Sequence, residues 1–491
     1  MSRNLDKNAF TAETAPFKQG KYMDRTVALL LILILIITSV TVVSKSAFSS
    51  TQVVENSWER KCPMQQARSG LGVVAVNGKI YAIGGSTTTG SYPYSGGVVG
   101  VNEEYNPSSN TWTYKTPMPT PMSEFGIAVY NNKIYCMSDD VNQVYDPATD
   151  TWENRTSMPT PRHRLGANVV DGKIYVIGGY DRSLPYGGDA TDITEVYDPE
   201  TDTWSTKAPM LAEKCDYASA VVGDKIYIIG GGSLSQPMTT ESQIYDTKTD
   251  SWSYGAPFPY EYLSFRFLEG EKAAATTGVD APERIYIFAE IHETGEQSEY
   301  SVQIYNPEND SWTVGADIPT HRIHFGVAVL DDLFYVIGGG TAYSPIPFDP
   351  NPTPTLTKYA TNECYTPFGY GTIPPLVNLV SPVNQMYTVT NVSLNFTVNK
   401  EVAWMGYSID CQDNVTVSGN TTLTEMVNGL HNLTVYAMDE FENIGSSATI
   451  FFSVELPQQN PFPTMLVAAA SVAAVGVVGI GLFVYFKKRK R

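Results

Sequence analysis

The sequence predicts an all-β protein: a six-bladed β-propeller over residues 54–366, then a small β-sandwich over 376–455, framed by two apolar runs. Three observations carry this. A Tyr and a Trp seven residues apart recur five times, at Tyr105/Trp112, Tyr145/Trp152, Tyr197/Trp204, Tyr245/Trp252 and Tyr305/Trp312. The third pair follows two apolar segments joined by a two-residue Asp-Gly turn, within 166–179. Residues 376–455 alternate apolar and polar without that repeat.

Composition narrows the function. The chain has 491 residues, 51 acidic against 32 basic, and a net charge of -19. An acidic protein lacks the basic footprint of a duplex nucleic-acid binder. Its 12% aromatic content is too high for disorder. Five cysteines exclude a disulfide-built scaffold, and five histidines restrict metal chemistry. The length exceeds one ordinary core, so at least two folded units are expected.

The repeat reads as four strands per unit. Gly166-Ala-Asn-Val-Val-Asp-Gly-Lys-Ile-Tyr-Val-Ile-Gly-Gly179 is strand, tight Asp-Gly turn, strand, then a diglycine. Thr194–Tyr197 is a third strand and Thr203–Ser205 a fourth. Asx-rich turns such as Asp-Pro-Ala-Thr-Asp-Thr join strands three and four, where side-chain capping and a fixed proline φ favour reversal. Tryptophans at 58, 112, 152, 204, 252 and 312 set a period of 40 to 60, which indicates a solenoid or propeller, and four antiparallel strands per unit make a propeller blade.

This pattern resembles the kelch repeat. Its diglycine stands at Gly84-Gly85, Gly178-Gly179, Gly230-Gly231 and Gly338-Gly339, while Ser138-Asp139 and Ala289-Glu290 replace it in two units. The preceding tyrosine persists in all six, at 81, 135, 175, 227, 286 and 335. The resemblance implies a propeller but leaves function open, because kelch propellers serve binding proteins and several enzymes alike. Trp58 lies in a fourth strand with no three before it. The last unit has three strands and no following tryptophan, so the N-terminal strand should complete the sixth blade. Cys62 and Cys364 then fall in one blade but about three residues out of register, roughly 10 Å, which makes them free thiols.

Residues 367–375 read as a linker and 376–455 as an immunoglobulin- or fibronectin-like sandwich of seven short strands, with the single Cys411 excluding an inter-sheet disulfide. Residues 456–463 form a Pro-rich stalk. The run 464–486 is uncharged, and its 23 residues span roughly 34 Å as a helix, enough for a bilayer core. Lys487-Lys-Arg-Lys-Arg491 follows it as a cytoplasmic stop-transfer tail. The first apolar run, 26–44, is a transmembrane signal anchor or a cleaved signal peptide behind the net-positive leader 1–25. Either reading puts the middle of the chain outside the cell membrane, with both termini cytoplasmic if the first run is uncleaved. Sequons at Asn154, Asn309, Asn391, Asn395, Asn414, Asn420 and Asn432 suit an extracellular, glycosylated segment. With the basic anchor and sandwich stalk, the chain resembles archaeal membrane-anchored surface kelch proteins.

Blade parity puts the loops from strand two to three, and from each fourth strand to the next first strand, on one face. The two-to-three loops are long and unequal: 86–100, 180–191, 232–241, 291–300 and 340–357. Such loops commonly carry function. The approach to strand one aligns as Arg68, Met122, Arg162, Lys214, Tyr262 and Arg322, and two residues on as Gly70, Glu124, Arg164, Asp216, Ser264 and His324. The three arginines should project near the axis on the long-loop face. With His321, these cations form a candidate ring for a carboxylate-bearing ligand. The alternative, which the resemblance also implies, is that they brace loop carbonyls around the channel.

A copper site is disfavoured, since only His163, His321 and His324 are near the right face. Arg162, Arg322, Glu124 and His324 are the residue types an epimerase-like site would use, but spacing alone does not make them converge. No Walker loop, zincin motif or nucleophile elbow is present in the sequence. The expectation is therefore a membrane-anchored extracellular module binding a glycan or protein, with no cofactor, metal or nucleic acid. A carbohydrate-active enzyme and a structural surface protein are the alternatives.

Overall fold

The computed structural model describes residues 53–88, 97–181, 183, 188–233, 240–259, 272–288, 301–343 and 355–457. The leader, both apolar runs, the basic tail, most of the stalk and parts of the long loops lie outside the described residues. Among the described residues every element is a strand, and no helix is long and apolar enough to cross a membrane.

Six four-stranded antiparallel sheets carry the repeats. The first is Gly72–Val76, Lys79–Ile83, Asn102–Asn106 and Thr111–Lys115; four more follow in the same order, opening with Gly126–Tyr130, Gly166–Val170, Ala218–Val222 and Lys272–Ala275. In the sixth, Gly326–Leu330, Leu333–Ile337 and Asn362–Thr366 are completed by Ser57–Lys61, with Trp58 opposite Tyr365. The first strands of neighbouring sheets lie against one another, and Gly326–Leu330 also meets Gly72–Val76, so the ring closes. Four of the hairpin turns, at 77–78, 131–132, 171–172 and 331–332, have the two left-handed residues that a type I′ turn needs, as in Asn77 (φ 50) with Gly78 (φ 71).

The Tyr–Trp repeat builds the joints between sheets. Each pair stacks with ring centroids 5.0 Å apart, and Trp58 with Tyr365 repeats that distance across the seam. The tyrosine hydroxyl donates to an Asx five residues on: Tyr145 to Asp150 at 2.6 Å and Tyr197 to Asp202 at 2.6 Å. At the seam Asn56 takes the Asx place, 2.7 Å from Tyr365 Oη. The same Asx oxygen accepts an N–H from the chain leaving the preceding sheet, as Asp150 does from Thr116 at 2.8 Å and Asn56 from Ala316 at 2.6 Å. Trp152 Nε1 returns a bond to the Thr116 carbonyl at 2.8 Å. Five of the six tryptophans make this bond; Trp58 Nε1 has no partner among the described residues.

Glu59, not Cys62, faces Cys364 in the seam, and both cysteines are free, as their register implies.

The C-terminal unit holds nine strands rather than seven, in two sheets around buried Leu394, Leu433, Val435, Ala437 and Val454. One sheet is Val377–Ser381, Val392–Val398 and Thr421–Leu423. The other runs Met386–Tyr387, Ile450–Val454, Gly429–Met438, Trp404–Ile409 and Val415–Val417, with Ile444–Ser446 pairing the end of Gly429–Met438. One of the two extra strands has a local cause. Pro382 has no N–H to continue the ladder, so the opening strand stops at Ser381 and resumes in the second sheet at Met386.

Candidate functional site

Isolated bridges Ser69–Ser86, His163–Tyr180, Cys215–Gly232 and Ile323–Gly340 tie the approach to each first strand to the start of that sheet's two-to-three loop. The approach residues and the long loops therefore share a face. Two of those loops extend as short hairpins, Tyr180–Asp181 with Asp189–Ala190 and Gly340–Tyr343 with Thr355–Lys358.

The three aligned arginines do not reach the axis. Arg68, Arg162 and Arg322 are buried, at 0%, 0% and 2% exposure. Arg68 donates to the Gly84, Val101 and Ala82 carbonyls and pairs with Glu103 at 2.9 Å. Arg162 donates to Gly178 and Ile193 and pairs with Glu195 at 2.7 Å. Arg322 donates to Thr320 and Val336 and pairs with Glu363 at 2.5 Å. Carbonyls and one carboxylate take both terminal nitrogens of each guanidinium inside its own sheet, while Arg322 Nε has no hydrogen-bond partner among the described residues, so the expectation that they hold an anionic ligand at the axis is corrected. A readable signal was missed: each arginine's partner stands two residues before the repeat tyrosine. That position is Glu103, Glu195 and Glu363 where the approach residue is Arg. It is Gln143, Gln243 and Gln303 where that residue is Met122, Lys214 and Tyr262.

The layer two residues further on does converge. Gly70, Glu124, Arg164, Asp216 and His324 all have positive φ, between 52 and 65. Their backbones form a chain around the axis: Gly70 N–H donates to His324 C=O at 2.7 Å, Glu124 to Gly70 at 2.8 Å, Arg164 to Glu124 at 2.9 Å and Asp216 to Arg164 at 3.3 Å. Ser264, the sixth member, lies outside the described residues. Arg164 bridges Glu124 and Asp216 at 3.1 Å each, and His324 Nδ1 is 3.5 Å from Glu124. Burial pushes the Glu124 carboxyl up, but His324, Arg164 and His163 together hold it below its usual range. Burial holds the Lys272 ammonium below its usual range, against the pull of Asp216 and Glu124.

These residues enclose a cavity of about 40 Å3 lined by Gly70, Glu124, Arg164, Asp216, Lys272 and His324. That is room for about one water, against roughly 300–1,000 Å3 for a typical small-molecule site. The charges at the axis mostly answer one another.

Of the other candidates, Lys214 is buried at 1% exposure, and its backbone joins Thr191 and Gly179. His321 is exposed. His163 sits 3.6 Å from Asp139 and against the Tyr180 ring, so the three histidines do not meet. Among the described residues no three His, Cys, Asp or Glu side chains are grouped as metal ligands would be. Among the sequons, Asn154, Asn309, Asn391, Asn414 and Asn420 are exposed, and Asn395 and Asn432 half-buried.

Residues 70–258 match the KLHDC2/KLHL20/DRC7 Kelch-repeats domain. The six sheets form a β-propeller, and over residues 70–258 the chain is similar to kelch-repeat domains. Similar proteins include the human Influenza virus NS1A-binding protein, 36% identical over 98 residues, covering 20% of this chain and 14% of that protein. Kelch-like protein 26 of Danio rerio is 29% identical over 184 residues, covering 36% of this chain and 29% of that one. The chain thus spans less than a third of the length of either relative. A solved structure, that of YjhT, is similar with a TM-score of 0.45 and 15% identity, covering 60% of this chain and 98% of that one.

Proposed function

We propose that this protein is a membrane-anchored extracellular binding module: a six-bladed kelch propeller on an immunoglobulin-like sandwich, engaging a protein or glycan partner through its long-loop face. Kelch repeats commonly mediate protein binding. The observation that carries the reading is the converging layer at the axis, where Glu124, Arg164, Asp216 and His324 leave a cavity of about 40 Å3 among the described residues. Among the described residues that space is too small for a sugar, which disfavours the epimerase-like alternative and favours the unequal loops as the recognition surface. The exposed sequons and the two apolar runs favour an external, anchored location.

The test uses the full chain in lipid nanodiscs, probed with a glycan array and a panel of purified cell-surface proteins. Saturable binding is expected, with at least a tenfold loss when loop 232–241 is cut to a two-residue turn. Turnover of a sugar would favour the enzyme. Binding unchanged by shortening each long loop in turn would move the surface elsewhere.

A further inference from the structure

Strand direction fixes where the chain leaves the propeller. In the sixth sheet Thr366 ends the third strand and Ser57 opens the fourth, side by side, on the face of the hairpin turns. That face is opposite the long loops. The connection between strands one and two of the fifth sheet, 276–284, lies on it too, beside the Asp331-Asp332 turn of the sixth.

The sandwich is fastened there. Asp332 is 1% exposed, and its carboxylate accepts N–H groups from Thr277 at 2.5 Å, Asp280 at 2.8 Å, Ala281 at 3.0 Å and Val279 at 3.2 Å. This sets the loop's shape from within the propeller. The loop then presents Asp280 outward. Its carbonyl accepts the Gly371 N–H of the linker at 2.7 Å, and its carboxylate pairs with Lys400 of the sandwich at 3.0 Å. Lys400 Nζ also reaches Asp439 at 3.2 Å and the Ile373 carbonyl at 2.7 Å, so three partners face its three N–H donors. The Lys400 side chain is 5% exposed and that of Asp439 2%. Asn443 Nδ2 donates to Gly371 C=O at 2.7 Å, Phe441 packs edge-on against Tyr370 at 5.7 Å, and Gly369 N–H donates to Glu55 at 2.8 Å. Pulling the joint apart would break the Asp280–Lys400 pair and the hydrogen bonds of the linker that lie beside it.

We infer that propeller, linker and sandwich form one rigid unit clamped at Lys400, which holds the long-loop face away from the bilayer and directs it at a partner on a facing surface. The orientation rests on the anchored reading above; the clamp does not. A flexible stalk would let the propeller tumble and reach partners in its own membrane. A clamped one restricts recognition to partners approaching from outside.

The full chain carries spin labels at native Cys411, which is exposed, and at Ser108→Cys on the hairpin face, in a Cys62→Ala background; Cys136, Cys215 and Cys364 are buried. One narrow distance distribution is expected. Lys400→Met should widen it at least twofold. Asp280→Lys should do the same while leaving the sandwich's own Lys400–Asp439 pair in place, which guards against a variant that merely unfolds the sandwich. A broad distribution in the unmutated chain, or an unchanged width in Asp280→Lys, overturns the clamp. In nanodiscs with a headgroup quencher, a dye at Ser108→Cys should be quenched more than one at Ser183→Cys on the long-loop face. Equal or reversed quenching overturns the orientation. A chain that does not join the bilayer refutes the anchored reading and the orientation with it, whereas the distance distribution still decides the clamp.

Discussion

Arg162 spends its charge within its own sheet. Glu195 takes one nitrogen at 2.7 Å, and the carbonyls of Gly178 and Ile193 take another. The second sheet does without such a pair: Met122 stands at the arginine position, and Gln143 bonds the Thr120 backbone at 2.9 Å through both amide atoms. The same fold site therefore accepts an ionic or a neutral solution. Removing one member of a buried pair costs about 3–5 kcal/mol, while replacing both with packed neutral groups can be nearly free. Arg162→Met alone should lower unfolding stability by about that amount in urea titration, and adding Glu195→Gln should restore most of it. A double variant no better than the single would mean that the carbonyl bonds, not the pair, hold the sheet. The alignment of Arg68, Arg162 and Arg322 was legible in the sequence, but their aim was not. They precede their strands, so period-two alternation says nothing about which way they point. Their carboxylates lie 33 to 41 residues away and surface only when the third strand is aligned too. The converging layer, Glu124 through His324, was readable as a shared offset, because one offset in every sheet means one radius and one height.

The N-terminal strand shows how far an element can be read from spacing. Trp58 and the unpaired last unit implied closure by Ser57–Lys61, and the ladder Trp58–Tyr365 realises it. The joint is not a perfect copy. Trp152 Nε1 donates to Thr116 at 2.8 Å, whereas Trp58 Nε1 has no partner among the described residues. The indole bodies do similar packing: Trp58 sits on Phe288 and Tyr365, Trp152 on Tyr145. Trp58→Ala and Trp152→Ala should both cost ~3 kcal/mol. Trp→Phe should separate them, at about 1 kcal/mol for the bond lost at 152 and little at 58. Thermal melts of the four variants check both halves. A neutral Trp58→Ala beside a severe Trp152→Ala would mean that the seam bears little load. The sandwich was harder to read by element. It has no repeat to average over, and its first strand is divided at Pro382, a break that alternation alone does not locate.

The chain is acidic overall, yet Lys487-Lys-Arg-Lys-Arg491 follows an uncharged run of 23 residues, and basic residues flank transmembrane helices on the cytoplasmic side. The chain enters the propeller at Ser57 and leaves it at Thr366, together on one face. Cys411 supplies a native reporter for this topology, because it is exposed while Cys136, Cys215 and Cys364 are buried. A membrane-impermeant maleimide applied to intact cells should label the protein to nearly the extent seen after permeabilisation. Cys411→Ser should remove most of that label, the remainder coming from half-exposed Cys62. Burial pushes the Cys136 and Cys215 thiols well above their usual range, so they stay protonated and unreactive near neutral pH and contribute little. Labelling that begins only once the membrane is opened would place the sandwich inside. The sequons would then be idle and the long-loop face would look for partners in the cytoplasm.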